Sequence, residues 1–584
     1  MKRKKLIAML LTGSMLAATM SGCGNNSGTN KESKDTVQKE SEVSKEESSV
    51  EVSSEEAAET EGTTFDPRTI TEGTKLTIAL KDSLQVSDYN TNEMTLAIEE
   101  ALGVDLEFVT YASADYETKM NVMVMSGDEL PDIIFDPGNQ YASWASEGAI
   151  ISLNDYYEDR NMSANFWDIC EKMGTDVYDM MKGADEKVYY VPNYQEDYQS
   201  SVYSKLWVYE PWLEAIGKDV PQTTEEFYEV CKLIAGKDLN GNGKNDEIVL
   251  TGYGFSTKGG NRGWFNCLMS AYIYAHGDNY LVVDDGELSF AYTTDEWKEG
   301  LKYIKRFFDE GLIPVETLTQ DNAQYEAVWK GNEMVLFSFA FWHMGGTDAE
   351  RKANYVHIPA LKGPEGEQNA MYSPAKPRAG AVITADCENP EAAFLVLDYM
   401  CSEEMSITNR FGKRGVNWDY WEDAKVEDKA QYSAAFPGYD IFFIAYDDVG
   451  FYSSMTQQNV CYVNVGPSMK GAYMLNAMAT VQSATTEEEE LALKFENRKK
   501  TAVMDCLNYA PEEVVCTLPM TDEETEESAD IKTSLDTYFN EITCQFLIGE
   551  KDIDSEWDNY LTELEKIGYK KLLETYQTAY DRTK

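Results

Sequence analysis

The chain has 584 residues and carries 103 Asp and Glu against 50 Lys and Arg, a formal net charge of −53. That balance repels nucleic-acid phosphates and speaks against a DNA or RNA partner. The length exceeds what one hydrophobic core usually fills, about 250–300 residues, so two or more cores are expected.

The first residues read as an export signal. Lys2, Arg3, Lys4 and Lys5 precede an apolar run over 6–19 that is too short for a stable membrane span. From 24 to about 65 the chain is Ser, Glu, Lys, Thr and Asn with few large apolar residues, a composition that cannot offset chain entropy by burial. A disordered acidic tether over 23–65 is expected there.

The globular part opens on a strand over 75–80, a Lys81-Asp82-Ser83 loop and a helix with Met94, Ala97, Ile98 and Leu102 that ends at Gly103. A strand over 104–109, a helix over 116–125 and a strand ending at Phe135 follow. Strands alternating with helices predict an α/β fold with a largely parallel sheet. Ligands of such sheets bind beyond the carboxyl ends of the strands, which points to Lys81-Asp82 and to Asp136-Pro137-Gly138-Asn139.

The segment 203–208 alternates like a strand, and Pro211 and Gly217 frame a short helix. A second helix begins at Thr223, with Glu226 placed for a capping box and Phe227, Val230 and Ile234 on one face. Directly after it, Asp238, Asn240, Asn242 and Lys244 occupy positions 1, 3, 5 and 7 of an EF-hand-like loop with Gly243 at position 6. Position 12 is Val249, so Asp246 or Glu247 must complete the shell of a structural calcium ion. An Asn-Gly surface turn without an ion is the alternative.

Further on, Gly259-Gly260-Asn261-Arg262-Gly263 leads to Trp264, without the Lys-Ser/Thr that a phosphate loop needs. The segment 297–308 reads as an amphipathic helix, and the apolar run over 334–341 reads as a buried strand that delivers Trp342. A strand over 381–384 and a helix over 390–400 follow, and the chain from about 461 onward reads as mostly helical. Trp418 lies in the glycine-containing stretch Arg414-Gly415-Val416-Asn417-Trp418.

Catalysis finds little support. His276, His343 and His357 are the only histidines, and neither HExxH nor GxSxG occurs. Ten cysteines show no CxxC spacing, which weakens zinc and redox readings; without Cys23 the other nine cannot all pair within the chain.

The stretches SGDELPDIIF, YASWASEGAIISLNDYY, KVYYVPNY, LWVYEPWLEAIGKDVPQTTEEFYEV, KGNEMVLFSFAFWHMGG, AGAVITADCENPEAAFLVLDYMCSEE and FGKRGVNWDYW together resemble bacterial extracellular solute-binding proteins. The loop over 238–247 is similar to that of the oligosaccharide-binding branch, which includes alginate-binding proteins and LplA-type lipoproteins. Met20-Ser21-Gly22-Cys23 resembles a lipobox, which implies removal of 1–22 and lipid (palmitate-type) attachment at Cys23.

The resemblance implies two α/β lobes of the periplasmic-binding-protein type, mostly parallel sheets flanked by helices with a helical C-terminal region. The first lobe is placed at 66–203 and 376–450, the second at 204–375 and 451–584. It further implies a monomeric receptor on the extracellular face of the membrane that captures an oligosaccharide and passes it to an ABC permease. A surface glycoside hydrolase or lyase, and a sugar-sensing lipoprotein without a transport role, are the alternatives. Trp264 and Trp342 resemble, by position, aromatic platforms of maltose-binding-type proteins, and Trp418 is a third candidate ring. Asp136 and Asn139 suit sugar hydroxyls, while Arg378 suits either a uronic-acid carboxylate or a surface ion pair.

Overall fold

The structure is a computed structural model that describes residues 70–584 apart from 197, 254, 256–261, 277–279, 331–334, 339–348, 421, 424–431, 434–440, 444–458, 473–479 and 482–486. The export signal, Cys23, the tether, Gly259-Gly260, Trp342 and His343 lie outside the described residues.

The chain alternates β1 (Thr74–Lys81), α1 (Glu93–Leu102), β2 (Val104–Tyr111), α2 (Tyr116–Ser126) and β3 (Ile133–Phe135), then adds α3 (Ala164–Met173) and β4 (Val191–Gln195). It crosses to a second sheet with β5 (Trp207–Tyr209), α4 (Thr224–Ile234), β6 (Ile248–Leu250), α5 (Asp295–Asp309), β7 (Val335–Ser338) and β8 (Tyr355–His357). It returns with β9 (Arg378–Ile383), α6 (Pro390–Met400) and β10 (Ser468–Lys470), and then enters helices that include Glu487–Leu507 and α7 (Asp522–Leu547).

The first sheet has the order β10-β4-β9-β3-β1-β2 and the second β8-β5-β7-β6. In the first sheet β9 alone runs against its neighbours, β3 and β4, while β1–β2, β1–β3 and β10–β4 pair in parallel. In the second, β5 opposes β7 and β8, and β6 runs parallel to β7.

Each sheet has its own core. Leu76, Ile78 and Leu80 of β1 pack with Ile98, Phe108, Ile134 and Phe394 in one cluster. Trp207, Phe227, Trp264, Trp297, Phe307 and Phe539 belong to the other. At about 1.5–3 kcal/mol per large side chain removed from water, either cluster outweighs any single polar contact in its lobe. Two cores, one on a mostly parallel sheet and one on a mixed sheet in which two of three pairings are antiparallel rather than the parallel pairing expected, make a two-lobed α/β molecule.

Local signals explain the element ends. Thr223 Oγ1 accepts the Glu226 amide at 3.2 Å and Glu226 Oε2 accepts the Thr223 amide at 3.2 Å, so the capping box of α4 is formed. Gly103 adopts φ +69° and closes α1 through its N–H to Glu99.

Two expectations need correction. Residues 203–206 are not strand, and β5 begins only at Trp207. The stretch 460–470 does not open the second lobe. β10 pairs with β4, and Val460, Tyr462, Val465 and Met469 join the core of the first sheet.

Candidate functional site

A cleft of about 1280 Å³ lies between the carboxyl edge of the first sheet and segments packed on the second core. Its floor comes from the carboxyl edge of the first sheet: Lys81 ends β1, Asp136, Gly138 and Asn139 follow β3, and Arg378 and Ala379 start the reversed β9. Tyr274, His276, Leu281 and Lys532, a residue of α7, stand on the side of the second lobe. The segment 373–377, which carries the chain back from the second sheet, lines the join together with 515–518.

Tyr116 ties α2 to this edge by donating its hydroxyl to the Phe135 carbonyl at 2.5 Å. Asp136 then leaves the strand at φ +47°, a left-handed conformation that aspartate tolerates better than most residues, and its amide donates to the Gly380 carbonyl at 2.8 Å. Gly380 cannot carry a side chain here, because a Cβ would come within 2.9 Å of the Asn193 amide nitrogen and of Pro467 Cα. Burial pushes the Asp136 carboxyl up to about 6, against the pull of Lys81, Arg378 and the Gly466 N–H.

The floor is pinned from behind. Asn193 Nδ2 donates to the carbonyls of Asn464 and Gly466 at 2.9 and 2.8 Å, and Asn409 Oδ1 accepts the Asn464 amide at 3.1 Å. Asn464 lines the cleft, and its buried Oδ1 has no hydrogen-bond partner among the described residues. Tyr141 and Tyr190 sit with ring centres 4.9 Å apart, and the rings of Tyr274 and His276 lie nearly parallel, their centres 6.3 Å apart. Aromatic faces beside amides and charged groups suit a ligand with alternating apolar and hydroxyl-bearing surfaces.

The structure therefore brings Asp136, Asn139 and Arg378 to one cleft, but it corrects the tryptophans. Trp264 is fully buried among Phe255, Phe265 and Phe308, with its indole packed so closely on Gly252 that a Cβ there would lie 2.0 Å from its ring. Trp418 is equally buried in the first core and donates Nε1 to the Gly412 carbonyl at 2.7 Å. Neither ring faces the cleft. Tyr141, Tyr190, Tyr274 and Asn464 escaped the sequence reading. Only YASWASEGAIISLNDYY, which opens on Tyr141, and KVYYVPNY, which contains Tyr190, carried any signal, as parts of a motif rather than as a site.

The loop after α4 has ordered geometry. Asp238 Oδ2 accepts the Gly243 amide at 2.9 Å, Asn240 Oδ1 that of Asn242 at 2.9 Å, and Asn242 Oδ1 that of Lys244 at 2.8 Å. Asp246 accepts from Asn242 Nδ2 at 3.0 Å, a bond that holds its carboxyl below the usual aspartate range. Glu247 Oε1 accepts the amides of Leu239 and Asn240, while its buried Oε2 has no partner among the described residues. No cluster of three or more Asp, Glu, His or Cys among the described residues forms a metal site by itself. Amide and carbonyl oxygens would have to supply the remaining donors. An unsatisfied buried carboxylate oxygen beside such donors fits a hard cation.

The family model for bacterial extracellular solute-binding proteins matches residues 88–407. The chain belongs to this family. The solute-binding protein is 26% identical over 518 residues to the fructooligosaccharide ABC transporter substrate-binding protein FusA of Streptococcus pneumoniae, a match covering 85% of this chain and 88% of that one. The structure of FusA in complex with kestose superposes with a TM-score of 0.64 at 23% identity, over 87% of this chain and 99% of the other. A human-milk-oligosaccharide ("HMO") binding, ABC-transporter-associated protein from Bifidobacterium longum infantis gives a TM-score of 0.69 at 15% identity, again over 87% and 99%. One FusA structure is of an EF-hand mutant bound to fructo-nystose. At these identities the structural matches speak to the fold, two lobes around a cleft.

Proposed function

We propose that this solute-binding protein captures an oligosaccharide between its lobes and presents it to an ABC permease for import. The observation that carries the reading is the 1280 Å³ cleft, with Asp136, Asn139 and Asn464 on one side and Tyr274 and His276 on the other. Groups from both lobes meet one ligand only when the lobes close, so the closed state gains the differential affinity that closure requires. Tyr141, backed by the buried Tyr190, offers apolar surface to sugar rings, and the carboxylate and amides take hydroxyls. FusA, matched over most of both chains, is named for a fructooligosaccharide and supports this ligand class.

In this reading the mature protein is a monomer without catalytic activity, held at the extracellular face of the membrane by a lipid on Cys23. Calcium is held by Asp238, Asn240, Asn242, the Lys244 carbonyl, Asp246 and Glu247, and it fastens the loop between α4 and β6. The ion supplies charge to a structural loop and takes no part in ligand chemistry.

Calorimetric titration of the purified chain with a panel of oligosaccharides, with the product mixture analysed afterwards, tests the reading. Saturable binding with intact sugar is expected; shortened sugar would make it a hydrolase or lyase. For calcium, chelation should lower the melting temperature, and Glu247→Gln should shrink that difference. An ion present at a hundredfold its dissociation constant stabilises the fold by about 2.7 kcal/mol. Identical melts with and without chelator remove calcium from the account.

A further inference from the structure

The cleft differs in charge from the chain that contains it. Overall, acids outnumber bases by 103 to 50, but among the described residues lining the cleft, Lys81, Lys376, Arg378 and Lys532 stand against only Asp82, Glu117 and Asp136. Lys532 is paired with Asp536 at 3.0 Å. The other three cations form no ion pair within 4 Å among the described residues, and Lys376 and Arg378 are exposed.

Two of the three acids already accept a backbone N–H. Asp82 Oδ1 is engaged by the Ser113 amide at 2.6 Å; Asp136 takes the Gly466 N–H, and with its carboxyl pushed up only to about 6 it is ionised at pH 7 and attracts Lys81 and Arg378. The positive field extends behind the floor, where Lys470, buried on β10, is pushed down to about 7 by burial first and then by Arg410 and Arg378.

Resting on the oligosaccharide reading above, we infer that the ligand is an anionic oligosaccharide whose carboxylate or sulfate groups are held by Lys81, Lys376 and Arg378. Three cations without an ion partner within 4 Å among the described residues line a sugar-sized cleft in a strongly acidic protein, and two of them, Lys376 and Arg378, are exposed to a ligand. Arg378 presents a planar fork that accepts a carboxylate or sulfate in two parallel hydrogen bonds, and the two lysines add point charge beside it. The distant acids do not cancel this attraction, because charges beyond about 8 Å are largely screened at physiological ionic strength. A neutral sugar would bring no charge to the exposed Lys376 and Arg378 on closure, whereas an anionic one would pair with them as they lose water.

The test titrates the full chain with three trisaccharide probes: trigalacturonate, a sulfated trisaccharide, and neutral kestose. At low salt at least one anionic probe should bind about tenfold or more tighter than kestose, and lose about tenfold between 50 and 500 mM NaCl while kestose does not. The trigalacturonate and sulfated arms separate carboxylate from sulfate. Lys376→Ala/Arg378→Ala should weaken the anionic probe by roughly thirtyfold and kestose by less than about threefold, with the melting temperature of the free protein unchanged. Kestose binding as tightly as both anionic probes, without salt dependence, overturns the charge inference and leaves the oligosaccharide reading standing. Binding of none of the three overturns both.

Discussion

Asp136 and Asp398 are both carboxyl groups pushed up to about 6 by burial, but they sit in opposite surroundings. Asp398, on α6, is inside the first lobe and accepts the Asn165 amide at 3.1 Å, the Asn165 side-chain amide at 2.8 Å and the Phe166 amide at 3.0 Å. It satisfies the first turn of α3, whose own N-cap residue Ser163 makes no side-chain cap bond. Asp136 stands at the cleft with a left-handed backbone, one N–H donor and two cations that leave it incompletely compensated. A shifted pKa does not separate a structural carboxylate from a binding one; the list of partners does.

Rings give the sharpest version of this contrast and the largest expected effect. Trp264→Ala opens a cavity in the second core and should cost about 3–5 kcal/mol of stability, with affinity per folded molecule unchanged. Tyr141→Ala should weaken sugar binding instead. If denaturant melts of Trp264→Ala match the parent, the ring is not core.

Asp398→Ala comes next, at about 3 kcal/mol, because it leaves buried donors without a partner. Urea midpoints read this directly, and equal midpoints would break the contrast with Asp136.

Asp136→Asn should act in the other direction. A carboxyl whose folded pKa lies above that of free aspartate stabilises most when protonated. Its contribution is therefore greatest below about pH 4 and is lost as pH rises through about 6, up to roughly 3 kcal/mol. Removing the charge should thus raise stability of the free protein at pH 7 by about 1–3 kcal/mol while ligand affinity falls. Melting temperatures measured from pH 4 to 8 check the sign, since the variant should lose part of the parent's decline across that window. A lower stability at pH 7 would place Asp136 with Asp398 as a structural group.

The smallest effect concerns Asn464, tested with a residue that tolerates its backbone. Asn464 sits at φ +66°, so Asn464→Gly removes an amide oxygen already without a partner among the described residues while keeping a left-handed backbone tolerable; stability should change by less than about 1 kcal/mol and only binding should suffer. A large loss of stability with unchanged binding would move Asn464 into the scaffold.

Sequence legibility followed the range of the interaction. β1, α1 and the capping box of α4 are set by residues within a few positions, and they stand where the pattern put them. The edge carrying Lys81, Asp136 and Asn139 followed from topology alone, since parallel strands direct their carboxyl ends to one side. Trp264 and Trp418 misled because a ring beside glycines reads alike whether the glycines open a groove or make room for the indole. At Gly252 they make room. β10 was illegible because Ser468, Met469 and Lys470 form a short strand whose partner, β4, lies far away in sequence. Tyr141 and Tyr274 carry no pattern that distinguishes a cleft ring from a core ring.

The late return of β10 also sets a clock on folding. The first sheet opens with β1 at Thr74 and gains its edge strand only at Ser468, so about 400 residues must be synthesised in between. β4 itself ends at Gln195, so at about 5–20 residues per second it lacks one neighbour for roughly 15–55 s. Pairings so distant in sequence raise contact order and slow folding. A chain that stops short of β10 leaves β4 as an open, hydrogen-bonding edge, the kind of surface on which strands from other molecules assemble.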